Sequence, residues 1–152
     1  DAQEKELYDV GCVGRISAFA EADGNRLLIT LTGMIRFRVD RELPAATPYR
    51  RVAPDWTDFK SDLGPKRGEQ IPREDLLKAL KPYFASRKIE ADWDLIASTD
   101  DEALVISLAM MCPFAPSEKQ ALLEAANLHE RAVALIAIIQ MALHDGGDHY
   151  PV

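Results

Sequence analysis

The sequence predicts an α+β protein, with a β-rich front over residues 1–70 and a helical bundle over residues 71–152. Three observations carry that reading. Residues 7–39 are rich in β-branched and apolar side chains, with the strongest turn text of the chain (EADGN, residues 21–25) in their middle; Asp-Gly and Gly-Asn favour positive φ. Residues 59–70 (FKSDLGPKRGEQ) are polar and punctuated by glycine and proline, the composition of a boundary. Residues 116–143 read as two helices meeting at a tight corner.

In chain order, a charged lead-in (residues 1–6) gives way to LYDVGCVGRISAF, a strand in which Gly11 and Gly14 mark a kink or a close backbone approach. After the turn, residues 26–32 (RLLITLT) predict a buried strand, and Gly33 interrupts it. Residues 34–39 then alternate, placing Ile35, Phe37 and Val39 on one side and Arg36 and Arg38 on the other. Alternation leaves two roles open for those arginines: an outward binding face, or ion pairs with the many acids of the same chain. Two prolines within residues 43–48 break the sheet, and residues 49–59 predict one more strand, which Pro54 confines to an edge or splits.

Behind the boundary, Pro72 opens a helix whose apolar stripe is Leu76, Leu77, Leu80, Tyr83 and Phe84. A short turn is expected over residues 93–97. Thr99 with Glu102 predicts a capped helix, apolar nearly all round, that Cys112 and Pro113 end. Ser117 with Gln120, and Asn127 with Glu130, predict capping boxes for the last two helices. The expected core is Leu104, Leu108, Leu123, Leu135, Ile136 and Ile139.

Composition narrows the function. Of 152 residues, 47% are hydrophobic and 28% charged, ordinary for a globular protein with a sizeable core. No apolar run approaches the ~18 residues of a membrane span. The acidic, Lys-containing start is unlike a secretory leader. Both features point to a cytoplasmic location without membrane contact. Cys12 and Cys112 are far apart and outside any CxxC, so two reduced, buried thiols are expected rather than a disulfide or metal pair. Net charge is −7, against bulk affinity for nucleic acid. Yet residues 26–51 hold six arginines against two acids, a local +4, leaving −11 for the rest. Arg36, Arg38 and Arg41 are therefore the candidate binding surface.

No catalytic constellation is visible. Gly64-Pro-Lys-Arg-Gly68 lacks the Gly-Lys-Ser/Thr ending of a phosphate loop, and no Gly-x-Ser-x-Gly elbow exists. Ser117 reads as a helix cap, with Lys119 too close in sequence to suggest a dyad. Asp92, Asp94, Asp100 and Asp101 lie at helix starts, where amides and the macrodipole stabilise anions. His129 reads as a surface or boundary histidine. His144–Asp145 and Asp148–His149 read as solvated tail rather than a metal site. No cofactor, no metal ligand and no catalytic residue is assigned.

Several of these texts, taken in order, resemble a known family. Tyr8-x-Val10-Gly11-Cys12 with Ile16 resembles a "Y-x-V-G-T-x-x-x-I" strand. The Asp23-Gly24 turn followed by Gly33-x-x-Arg36-x-x-Val39 resembles its continuation, and Pro116 to Glu124 with Asn127, Glu130 and Arg131 resembles a "K-Q-x-L-L-E … R" helix pair. That set, over residues 7–143, resembles the N-terminal domain of Lon proteases. The family's preceding strand text ("F-P-L … L-x-I-F-E-x-R-Y") is not among these residues, which is expected to leave strand edges unpaired. The resemblance implies a PUA-like β part packed on a helical bundle, and a non-catalytic module that binds unfolded or specific protein clients. Such a module serves ATP-dependent proteolysis or stands alone, with self-association left open. An RNA-binding PUA-like module is the alternative reading, through phosphate contacts at the arginines.

Overall fold

The computed structural model describes residues 6–24, 26–44, 47–64 and 68–144. Most of the charged lead-in, Asn25 of the turn, residues 65–67 of the boundary, and Asp145, Asp148 and His149 of the tail lie outside them. The fold is α+β, as the sequence predicts. It divides into two compact units, Asp1–Arg67 and Gly68–Val152.

The first unit is a three-stranded antiparallel sheet in the order β1-β2-β3, with β1 Val10–Ala22, β2 Arg26–Leu43 and β3 Arg51–Asp55. Ala22 pairs with Arg26 around the expected turn, and Gly24 takes the left-handed φ of +79°. That conformation costs glycine nothing and any side chain roughly 1 kcal/mol or more. Gly11 answers to a close approach: a Cβ there would lie 2.6 Å from the Phe37 ring. Gly33 does not interrupt its strand as expected; β2 runs through it, with a bulge alongside.

Pro54 sits on edge strand β3, where its missing N–H is tolerated. The rest of the expected last strand is instead a 3₁₀ helix, Thr57–Leu63. Part of the predicted boundary is therefore structural: the helix folds against β2 and buries Phe59.

The second unit is a bundle of five helices among the described residues: α1 Arg73–Arg87, α2 Trp93–Ser98, α3 Asp101–Met111, α4 Pro116–Glu124 and α5 Leu128–His144. Helix α5 packs against α1, α3 and α4. The core includes Leu76, Leu80, Tyr83, Val105, Leu122, Leu135 and Ile139, all almost fully buried. Two members of the expected core are corrected. Leu123 and Ile136 are only partly buried, while their neighbours Leu122 and Ile138 point inward.

The caps are corrected in detail as well. For α3 the cap is Asp100, whose carboxylate accepts from the Ala103 amide at 3.0 Å, and not Thr99. Helix α4 begins at Pro116, and Glu118 accepts from the Ala115 amide at 2.6 Å, so Ser117 and Gln120 form no box. Asn127 caps α5 as expected, its side-chain oxygen accepting from the Glu130 amide at 2.8 Å. Glu130 reaches back to the Ala126 amide instead of that of Asn127. Helix α1 ends on Lys88 in the left-handed region, φ 54°, with Ile89 donating back to the Phe84 carbonyl.

Candidate functional site

Two irregularities in the β1–β2 ladder decide what this hairpin presents. Residues paired directly across an antiparallel ladder share a face. Val13 pairs with Ile35, but the next residue, Gly14, pairs with Gly33, so Met34 is an extra residue on β2. Ile16 pairs with Leu31 and Ala18 with Thr30, so Ser17 is extra on β1. Each extra residue shifts the alternation of its own strand against its partner.

As a result, Gly33 and Ile35 face opposite ways, although they are two apart in sequence. One face therefore carries Cys12 with Arg36, Gly14 with Gly33, Ile16 with Leu31, Phe19 with Ile29, and Glu21 with Leu27. The glycines confirm this assignment. A Cβ on Gly14 would meet Leu31, and one on Gly33 would meet the Cys12 sulfur.

The outer part of that face is apolar and uncovered. Phe19 is 71% exposed, Ile16 60%, Leu27 and Leu31 62%, and Ile29 48%. The stretch of β2 over residues 26–32 is thus exposed on both faces, Leu28 on the opposite side being 68% exposed, and not buried as its composition suggests. Five side chains of this size leave on the order of 500 Å² of apolar surface, within the range of the largest patch on an ordinary monomer, which is often functional. Beside it the Gly14–Gly33 pair lets the Leu31 side chain and the Cys12 sulfur lie close over the backbone. Strand β1 lies at the edge of the described sheet, which has the order β1-β2-β3.

The arginines expected to form the binding surface occupy the inner part of the same face. Of the two roles alternation leaves open, Arg36 takes the ion pair within the chain and is 6% exposed. Asp62, on the 3₁₀ helix, accepts from its Nε at 2.9 Å, its Nη2 at 2.8 Å and its backbone amide at 3.0 Å. The guanidinium also lies 4.6 Å from the centre of the Phe59 ring. A bidentate pair backed by an aromatic face is a structural clamp that holds the 3₁₀ helix on β2.

Arg38 does point outward and pairs loosely with Asp58 at 3.3 Å. Arg41 pairs with Asp40 at 2.6 Å. A further irregularity places Arg41 with Arg38. Val39 pairs with Pro54 and Arg41 with Ala53, so Asp40 is extra and Arg41 returns to the Arg38 face. Simple alternation would have put them on opposite faces.

Among exposed carboxylates, Asp55 sits below its ordinary pKa because the Thr57 hydroxyl and amide donate to it, with Lys60 and Arg38 adding charge. Glu42 is lowered by the hydrogen bond from Arg50. In the second unit, burial raises the Cys112 thiol to about 11. Cys12, expected buried, is exposed. His129 donates from Nδ1 to the Gln70 carbonyl at 2.9 Å; since a carbonyl only accepts, Nδ1 carries the proton.

Apolarity alone hid the hairpin face from sequence reasoning. Leu27, Leu28, Ile29 and Leu31 read as core text, and their spacing marks neither face as wet, yet all four are exposed.

A strand-edged apolar hairpin followed by a helical bundle is the make-up of a binding domain built on an α+β frame. Comparison with known proteins sharpens this. The chain belongs to the family of the ATP-dependent protease La (LON) substrate-binding domain, whose model matches residues 1–141. Among solved structures it is similar to a Lon N-terminal domain protein from Xanthomonas campestris, with a TM-score of 0.59 and 20% identity. That match covers 86% of this chain and 68% of the other, and it concerns the fold. None of the curated proteins compared with it matches.

Proposed function

We propose that this chain binds protein clients through the β1–β2 hairpin, as the recognition module of a Lon-type ATP-dependent protease or as a stand-alone binder. The observation that carries the proposal is the exposed face of Ile16, Phe19, Leu27, Ile29 and Leu31 on the hairpin whose outer strand, β1, is the edge strand of the described sheet. An extended client segment adds main-chain hydrogen bonds at such an edge and seats alternate side chains on the apolar face. Unfolded polypeptide supplies both. Arg38 and Arg41 extend the surface toward acidic residues in a client: they are 49% and 69% exposed, and pairs that exposed are worth only about 0–1 kcal/mol, so an incoming carboxylate exchanges for Asp58 or Asp40 at little cost. Arg36 is committed to Asp62 and takes no direct part. A non-enzymatic role, a PUA-like ancestry of the β part and a cytoplasmic setting belong to the same proposal.

The test is fluorescence anisotropy with labelled, unfolded casein. Phe19→Ser with Ile29→Thr is expected to weaken binding at least tenfold while leaving the thermal midpoint within a few degrees, since Phe19 is mostly and Ile29 about half in water and the pair introduces no like charges across the ladder. Unchanged affinity in a folded double variant would overturn the hairpin as the site. Gel-shift titration with RNA at physiological salt is expected to show no binding. Micromolar RNA affinity, lost in Arg38→Ala with Arg41→Ala along with about two ion equivalents of salt dependence, would replace the client-binding proposal with the RNA one.

A further inference from the structure

We draw no further inference here: the strongest candidate outside the hairpin site, the stripe of Val133, Ala137 and Met141 along the exposed side of α5, is an unpartnered apolar helix face and nothing in the structure shows what covers it.

Discussion

Arg36 and Asp62 show how one pair changes the meaning of a surface. Their side chains are 8% and 19% exposed, so neither charge is well solvated without the other. Arg36→Ala strands the Asp62 carboxylate beside Phe59 and is expected to cost about 3 kcal/mol, read as a drop in urea midpoint. Arg38→Ala, one turn of the pleat away and half in water, is expected to cost under about 1 kcal/mol. Equal effects would mean that Arg36 is no more structural than its neighbour.

The two thiols separate in the same way. Cys12 is expected to react with an aromatic disulfide reagent in the native protein at pH 8, and Cys112 only after denaturant is added. The linkage sign follows from its raised value. A thiol that holds its proton more tightly when folded contributes stability below its unfolded pKa, near 9, and loses it as pH rises toward about 11. Asp55 and Glu42 act in the opposite sense: their lowered values favour the fold above the ordinary carboxylate range, and that contribution fades on acidification.

At the scale of elements, helix α5 organises the second unit, and its two ends of burial can be told apart. Ile139 is fully buried, so Ile139→Ala is expected to cost roughly 2–5 kcal/mol. Ile136, partly buried on the flank of the same helix, is expected to cost about half of that. Asn127→Ala removes one bond from the α5 start and is expected to cost about 1 kcal/mol. The neighbouring Glu69 carboxylate accepts from the Leu128 amide at 2.9 Å, so the start of the helix is held twice. At the other kind of helix end, Lys88→Gly relieves a left-handed residue and is expected to stabilise the unit by up to about 1 kcal/mol. Chemical denaturation of these variants checks all four, and Ile139→Ala without effect would mean that the α5 face is misassigned.

For the molecule as a whole, the division of labour follows from where apolar area lies. The second unit gathers its buried apolar residues in one continuous core, whereas the first keeps a small buried set among the described residues, Val10 and Phe59 with Arg36, and exposes both faces of its hairpin. Local stability is therefore expected to differ. Hydrogen exchange should find the most protected amides in α1 and α5, and rapid exchange over residues 16–31 of the hairpin. Slow exchange along the outer edge of β1 would mean that the edge is covered. Addition of an unfolded client is expected to protect that edge selectively, which ties the whole-molecule measurement back to the binding proposal.

Composition, turn chemistry and helical periodicity determined the class, the order of strands before helices, the Asp23–Gly24 turn, Pro54 at an edge and Asn127 at a cap. These depend on contacts among residues close in sequence, and their physics is local. The resemblance to Lon N-terminal domains was legible for the same reason, since its motifs are turns, glycines and helix starts. Only the tertiary structure decided what the β part shows to its surroundings. Met34, Ser17 and Asp40 are ordinary residues in ordinary strand text, yet each is an extra residue in its ladder. One added residue reverses a face because the strand period is two. Register is fixed by the partner strand, which alternation along one strand does not record. Asp62 is likewise 26 residues from Arg36, in text that reads as linker. The pairing that buries one arginine and leaves two outside follows from the chain folding back on itself, a long-range contact that no short window of sequence contains.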